Sequence, residues 1–182
     1  NMPTDHGTVS FSDVYVDNAS IFGEEGHGLQ IVQHFFNENR IRQAASSLGA
    51  AQYCINESVK YAQERKPFGK PLSTNQGIQF PLVELNTTAA MLRALIHKTA
   101  WQMDKYGAFS VSDQVSMCNY IGNRLCCDAA DRAMQTHGGL GYSRHKPFEH
   151  IYRHHRRYRI TEGAEEIQMR RIAGYMFGYM KQ

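Results

Sequence analysis

The sequence predicts an all-α protein, an antiparallel four-helix bundle that is preceded by a short β segment. Three observations support this prediction. Apolar residues recur at helical spacing over long stretches of the chain. The segments between these stretches are short and contain glycine or proline, which end helices. The chain has 182 residues, which is enough for one domain with its own core.

The first stretch of the chain predicts the β segment. Residues 8–16 (TVSFSDVYV) alternate between polar and apolar or carry β-branched side chains, a pattern typical of one or two short strands. Glycines within residues 23–28 (GEEGHG) then predict a turn. A strand this short needs a sheet to pair with. Because the first residue is Asn1, we expect that sheet in a longer chain, of which this sequence is a piece.

Five helical patterns follow the turn. In the first, apolar residues recur every three to five positions from Leu29 to Ala62, and residues 66–71 (KPFGKP) end it. The glycines of residues 138–141 separate the third pattern from the fourth. The predicted helices cover residues 28–64, 75–106, 111–136, 147–158 and 164–180.

Composition narrows the class of protein. The net charge of +3 is too small to imply a nucleic-acid partner by itself. No apolar run reaches the roughly 20 residues that span a bilayer, and no signal peptide is visible. We therefore expect a protein that is neither secreted nor in a membrane, located in the cytoplasm if bacterial and in mitochondria or peroxisomes if eukaryotic. The four cysteines lack metal-ligand spacing and are interpreted as reduced thiols in the core.

Three motifs occur in a fixed order along the chain. They are residues 61–72 (YAQERKPFGKPL) followed by Gln76, residues 135–142 (QTHGGLGY), and residues 161–164 (TEGA) followed by Ile167 and Gln168. In order and spacing, this set resembles the C-terminal half of the acyl-CoA dehydrogenase family. Residues 9–28 resemble the end of that family's middle β-domain, so the resemblance covers essentially the whole chain.

The resemblance implies an organisation and an activity. Residues 1–27 would be the tail of the middle β-domain, and residues 28–182 the C-terminal helical bundle domain. The family binds FAD and oxidises acyl-CoA thioesters to trans-2-enoyl-CoA. The implied partners are an acyl-CoA substrate, a second copy of the chain in a homodimer or homotetramer, and an electron-transfer protein as acceptor. The isolated chain is expected to be inactive, since it lacks the domains that hold the flavin ring.

Three glutamates lie close together near the C-terminus. By resemblance, Glu162 is the base that takes the proton from the carbon next to the thioester, a task that a carboxylate can perform. Glu165 and Glu166 fall in the first turn of the last predicted helix, where acids interact favourably with the helix dipole. The alternative is that all three only start the helix. Some family members place the base on the first long helix instead, at the position of Asn39, which cannot act as a base.

Two segments are expected to contact FAD. By resemblance, Arg65, Phe68 and Gln76 meet the FAD of a neighbouring subunit, since a guanidinium can pair with a pyrophosphate. Gln135, Gly138 and Gly139 match the second flavin-contacting segment, and glycines allow the backbone to approach a phosphate closely. The structural alternatives are a cation at a helix C-terminus and a helix C-cap with a turn.

Substrate contacts are expected at four further residues. Asn37 and Arg40 match positions near the CoA nucleotide, although Asn37 departs from the acidic residue that is common there. The alternative for both is a solvated helix face. Thr161 replaces a frequent Tyr beside the base, which leaves space near the thioester and suggests a branched or ring-bearing acyl group. Gly163, directly after the base, is the fourth of these residues.

Residues 144–159 form a basic stretch with six Lys or Arg, four His and one Glu. A solvated face is the favoured interpretation, and a nucleic-acid or protein-binding surface is the alternative. His150 and His154 are spaced for a shared metal but lack a third ligand at suitable spacing, so no metal site is expected. A flavin oxidase or monooxygenase is a third functional hypothesis, against which the presence of Glu162 argues mildly.

Overall fold

The computed structural model describes residues 7–180 of the chain, and six α-helices dominate this range. Predictions that concern residues 1–6 and 181–182 lie outside the described residues. The predicted all-α class is confirmed. The helices are α1 (Gly28–Glu64), α2 (Gln76–Tyr106), α3 (Ser112–His137), α4 (Gly139–Tyr142), α5 (Phe148–Arg156) and α6 (Glu165–Met176).

The long helices reverse direction from one to the next. Gly107 adopts a φ of +84° directly after α2, which ends that helix, and five residues later α3 begins. α6 runs antiparallel to α3: the Ser116 hydroxyl donates to Oε1 of Gln168 at 2.9 Å, while Ser112 and Tyr175 share a hydrogen bond at 2.8 Å. With α3 at the centre, α1, α2, α3 and α6 form the bundle, and α4 and α5 connect α3 to α6.

The apolar core lies where α1, α2 and α3 meet. Many of its side chains are small, which allows α1 and α3 to approach closely; a Cβ on Gly122 would lie 3.3 Å from Cα of Ala44. Phe148 of α5 is completely buried and closes one end of the core. Representative core residues are Ala44, Leu48, Ala51, Ile55, Ala89, Leu92, Ile96, Leu125, Ala129 and Ala133.

All four cysteines are buried free thiols, in agreement with their interpretation as core residues. Cys54 lies on α1, and Cys118, Cys126 and Cys127 lie on α3. Burial raises the pKa of the Cys54 thiol to about 12 and that of Cys118 to about 11. Burial also raises the pKa values of Cys126 and Cys127. These thiols are therefore protonated and shielded in the folded protein.

The predicted strands are not formed. Residues 7–27 contain only the short 3-10 helix Asn18–Ser20, and every residue in this range is exposed. A strand exists only when its backbone pairs with a neighbour. No strand occurs anywhere in residues 7–180, so residues 8–16 have no partner within the described chain.

Two further predictions from the sequence need correction. The last helix ends at Met176 and not at residue 180, because Gly178 adopts a φ of +76°, a conformation that closes a helix C-terminus. The first half of α1 also turns a different face inward than its apolar residues indicate. Leu29, Val32 and Ala45 are exposed, whereas the buried residues there are Asn37, Asn39, Arg40, Gln43, Ala44 and Ser47.

Alanine in place of Gly141 should destabilise the fold. A Cβ at this position of α4 would lie 2.6 Å from the carbonyl oxygen of Met134 and 2.9 Å from its Cα, and backbone atoms cannot move aside. We expect Gly141→Ala to lower the free energy of unfolding by about 3 kcal/mol, as overpacking in a tight site does. The measurement is urea or thermal unfolding followed by circular dichroism.

Gly139→Ala is the matched control for Gly141→Ala. Gly139 lies in the same short helix, but a Cβ there would meet nothing within 4 Å. The control should be neutral or slightly stabilising, because alanine favours a helix by up to about 1 kcal/mol over glycine. Equal destabilisation by the two changes would contradict the close approach of α4 to α3.

Candidate functional site

Glu162 lies on the loop that joins the 3-10 turn Arg157–Arg159 to α6. Its backbone adopts a φ of +57°, a left-handed conformation that is uncommon for residues other than glycine. Gly163 follows with a φ of +97°. Such a conformation costs a non-glycine residue about 1–3 kcal/mol, so neighbouring contacts must hold it in place.

Two side chains hold the backbone of Glu162. Arg40 donates from Nε and Nη2 to the Glu162 carbonyl oxygen, at 3.1 Å and 2.6 Å. Gln168, which is completely buried, donates from Nε2 to the same oxygen at 3.2 Å and to the carbonyl oxygen of Gly163 at 2.8 Å. Helices α1 and α6 thus fix the loop from two sides.

The carboxylate of Glu162 is held on one oxygen only. Oε1 accepts from Nδ2 of Asn39 and, at 3.4 Å, from Nε2 of Gln43. Asn119 donates to Oε1 of Gln43 at 3.1 Å. The amide NH2 group of Gln43 is therefore directed at Glu162. Within residues 7–180, no hydrogen bond is made to Oε2 of Glu162. That oxygen is available to accept a proton from a bound molecule.

A cavity of about 410 Å³ opens beside the carboxylate. We call it the Glu162 cavity: α1 supplies Arg42, Gln43 and Ser46, and the loop region supplies Arg157, Thr161 and Glu162. All eight of its lining residues carry polar side chains. The cavity offers hydrogen-bond donors around one carboxylate and no aliphatic wall.

Asn37 and Arg40 are buried, with 0% and 3% exposure, so the solvated-face alternative for them is wrong. Their polar atoms are used inside the protein. Asn37 accepts from Arg40 Nη1 at 3.4 Å and donates to the carbonyl of Ala108 at 3.5 Å. Burial, followed by repulsion from Arg171, lowers the pKa of Arg40 to about 10, so its guanidinium stays charged at neutral pH.

Glu165 differs from Glu162 and Glu166 in the ion pairs that its carboxylate makes. It lies in the first turn of α6 as expected, but its carboxylate is buried between two guanidiniums. Arg159 donates to both carboxylate oxygens at 2.8 Å and 2.9 Å, and Arg124 does so at 3.1 Å and 3.0 Å. These hydrogen bonds, from Arg159 first and Arg124 second, lower the pKa of Glu165 from 4.5 to about 2. The pairs anchor the basic segment to the start of α6.

Glu165→Gln should remove part of the protein's acid sensitivity. Because the folded-state pKa of Glu165 is below its unfolded value, its contribution to stability is complete above about pH 5 and lost as pH falls toward about 2. That contribution is on the order of 2–3 kcal/mol. We expect the variant to be less stable than wild type near neutral pH, with a difference that shrinks on acidification.

The measurement is urea unfolding of wild type and Glu165→Gln across this pH range. Glu166→Gln serves as control, since Glu166 is exposed in the same turn of α6. A stability difference between wild type and Glu165→Gln that does not change with pH would contradict the ion-pair role.

A second cavity, of about 550 Å³, brings together residues that the sequence places far apart. Arg65 follows α1, while Gln135, Gly138 and Gly139 lie where α3 meets α4, and all four line it. Gly138 combines a φ of +61° with a ψ of −139°, which only glycine adopts readily. Phe68 and Gln76 are exposed and lie outside this cavity.

The second cavity suits a phosphate-bearing group. A guanidinium and a backbone that glycine leaves uncovered are the groups that bind pyrophosphate in proteins. A Cβ on Gly138 or Gly139 would meet nothing within 4 Å, so the approach to that backbone is open. The residues present therefore fit the phosphate portion of FAD.

The basic stretch is not a uniform cationic surface. Lys146 pairs with Glu57 at 3.2 Å, Arg153 with Glu149 at 2.9 Å, and Arg159 with Glu165 at 2.8 Å. His155 is buried against Ser47, and burial lowers its pKa to about 4, so it is neutral near pH 7. Half of the six Lys and Arg of this stretch are thus neutralised within the chain.

No helix within residues 7–180 combines the length and apolarity needed to cross a bilayer. In the same range, no group of three or more His, Cys, Asp or Glu side chains is placed to hold a metal ion.

Of the residues that hold Glu162, reasoning from the sequence singled out Arg40, for a different contact, and missed Asn39, Gln43 and Gln168. Asn39 was considered only as a base that cannot work, and Gln43 and Gln168 received no role. One signal was present: polar residues recur at helical spacing in the first half of α1, at Asn37, Arg40, Gln43 and Ser47. Polar residues on a consistent face of a long helix can mark a buried polar contact as well as a solvated surface.

Comparisons with known proteins bear on the family and the fold of the chain. Residues 26–177 match the family model "Acyl-CoA dehydrogenase, C-terminal domain". The probable acyl-CoA dehydrogenase FadE2 of Mycobacterium tuberculosis is 32% identical over 168 residues, which are 92% of this chain and 41% of that protein. An acryloyl-CoA reductase (NADH) of Anaerotignum propionicum is 35% identical over 157 residues, 86% of this chain and 39% of that protein.

A solved structure has the same fold over most of this chain. Butyryl-CoA dehydrogenase from Megasphaera elsdenii superposes with a TM-score of 0.84 at 29% identity, covering 92% of this chain and 43% of that one. The chain spans about two fifths of the length of the relatives it matches. The match to the family model over most of the chain is decisive, and the chain belongs to the acyl-CoA dehydrogenase family, whose C-terminal helical domain it contains.

Proposed function

We propose that the full-length protein is an FAD-dependent acyl-CoA dehydrogenase in which Glu162 is the α-proton base. The observation that carries this proposal is the fixation of Glu162. Its backbone is held by Arg40 and Gln168, its Oε1 is held by Asn39 and Gln43, and its Oε2 accepts no hydrogen bond from residues 7–180. A base that is fixed in this way can take a proton from a substrate held in one orientation.

The proposed reaction balances in protons and electrons. Oε2 of Glu162 takes the proton from Cα of the acyl group, and the electrons of that C–H bond form the new C=C bond. The Cβ–H bond breaks with its electron pair, which leaves as hydride. FAD, when bound, supplies the acceptor for that hydride. Asn39 and Gln43 stabilise the carboxylate before transfer and keep it aimed while it carries the proton.

We propose that FAD contacts this chain through Arg65, Gln135, Gly138 and Gly139. Their convergence on one cavity supports this assignment. Phe68 is a fully exposed aromatic residue with a φ of +54°, and Gln76 is exposed nearby at the start of α2. Both have the accessibility that contact with the FAD of a neighbouring subunit requires.

For the substrate, we propose direct contacts at Thr161 and Gly163 and an indirect role for Asn37 and Arg40. The first two lie on the loop that carries Glu162. Arg40 and Asn37 are consumed in hydrogen bonds beneath that loop, so they position Glu162. The same proposal includes a domain boundary near residue 27. It also includes assembly into a homodimer or homotetramer, and a second protein that accepts the electrons.

The test uses the full-length protein with its flavin. A panel of acyl-CoA thioesters is added without oxygen, and the visible absorbance of the flavin is followed. Bleaching by a thioester, with the enoyl-CoA as product, is the expected result. A flavin that stays oxidised with every thioester would overturn the proposal. Rapid hydrogen peroxide formation in air, at the rate of substrate turnover, would favour the oxidase hypothesis.

A further inference from the structure

The Glu162 cavity has an unusual chemistry for a site that receives an acyl chain. Its eight lining residues all have polar side chains, among them Gln43, Ser46 and Thr161. An alkyl chain placed here would leave buried donors without partners, at a cost of about 1–3 kcal/mol for each. A chain that carries polar atoms would satisfy those donors.

Glu162 has the task of taking the Cα proton. The other charged side chains of the cavity are cations. Arg42 and Arg157 both line it, and Glu162 is the only acid among the lining residues. Arg42 donates to the neutral amide oxygen of Asn39. Neither guanidinium has a carboxylate partner within residues 7–180, in contrast to Arg153 and Arg159 of the same segment.

Arg157 in particular has unused donors. Its Nε is buried and makes no hydrogen bond in the described structure. Nη2 meets only neutral groups, Nε2 of His154 at 3.3 Å and the Tyr158 hydroxyl at 3.4 Å. Burial and the nearby Arg157 lower the pKa of His154, so it stays uncharged near neutral pH. A guanidinium in this state matches a carboxylate, which accepts two of its N–H groups side by side.

We propose that the acyl group of the substrate ends in an anionic group, so that the substrate is a CoA monothioester of a dicarboxylic acid. Arg157, assisted by Arg42, receives the distal carboxylate while Glu162 takes the Cα proton. The distal carboxylate is unchanged by the reaction, which remains the loss of a Cα proton and a Cβ hydride to FAD. This inference rests on the proposed function and names the substrate class for the same site.

The first test compares substrates with the full-length wild-type protein. Dicarboxylic acid monothioesters of CoA are matched with alkyl thioesters of equal chain length and with the corresponding terminal amides, which are neutral. We expect kcat/KM for the acids to exceed that for the alkyl thioesters by about 100-fold or more, with the amides in between. Alkyl thioesters that react as well as the acids would overturn the inference and leave the proposed function intact.

The second test removes the charge with Arg157→Met. The variant should lose about 100-fold in kcat/KM on the acids, mainly through KM, so that its preference for acids over alkyl thioesters disappears. Arg153→Met is the control, since Arg153 pairs with Glu149 and does not line the cavity. An equal loss on both substrate classes would contradict the receptor role of Arg157. Flavin that no thioester reduces would overturn the proposed function, and this inference with it.

Discussion

Glu162→Gln in the full-length protein should slow flavin reduction by its acyl-CoA substrate by about 1,000-fold or more, the range expected on removal of a general base. The amide has the shape of the carboxylate, and its oxygen can still accept from Asn39 and Gln43. The loop is held through the carbonyl of Glu162, which the substitution leaves in place. The fold and substrate binding should therefore survive, and proton removal should not.

The measurement is anaerobic stopped-flow absorbance of the flavin, with substrate affinity measured separately by titration of the variant. Glu166→Gln is the matched control: it makes the same chemical change four residues away, on an exposed position of α6. It should reduce flavin at the wild-type rate. A Glu162→Gln variant that binds substrate and bleaches at a normal rate would place the base elsewhere.

Arg40→Met should cost about 3 kcal/mol of folding free energy and most of the activity. The substitution leaves Oδ1 of Asn37 without its donor, and it leaves the carbonyl of Glu162 with Gln168 as its remaining donor. Loss of such hydrogen bonds from a charged group in a buried site costs about 1–3 kcal/mol each. The left-handed backbone of Glu162 also loses its main support. For a domain of this size, the melting temperature should fall by about 6–10 °C.

Thermal unfolding by circular dichroism or calorimetry checks the stability change, and flavin reduction checks the activity. Arg93→Met is the control, because Arg93 is exposed on α2. Its effect should stay within about 0.5 kcal/mol, as for ordinary surface substitutions. Arg40→Lys keeps the charge but not the paired donors, and should recover only part of the loss. Full stability in Arg40→Met would show that Gln168 alone holds the loop.

The helices could be predicted because their signals are local. The first predicted helix, residues 28–64, agrees with α1, and the residues that end helices are next to those ends in the sequence: Pro67 after α1 and Gly138 after α3. The strands at residues 8–16 could not be predicted reliably, since a strand depends on a partner that the local sequence does not contain. Helix propensity is a property of a segment, whereas strand pairing is not.

The site was predicted only in part, for a related reason. The motif at residues 161–164 identifies Glu162, but the side chains that hold it lie about 120 residues away on α1. The apolar residues of the first half of α1 indicated the wrong buried face, because polar contacts with the Glu162 loop decide the packing there. Hydrophobic periodicity finds the face that avoids water, and it cannot find a face that is buried for its hydrogen bonds.

The four buried cysteines give this chain an intrinsic reporter of its own opening. A thiol reagent attacks the thiolate, and here every sulfur is both shielded from solvent and kept protonated by burial. Labelling must therefore wait for a local opening that exposes the sulfur: Cys118 lies against Thr99 of α2, for example, whereas Cys127 lies near Arg159. The labelling rate of each cysteine, read by mass spectrometry in native buffer, would give the free energy of these openings site by site without any introduced probe.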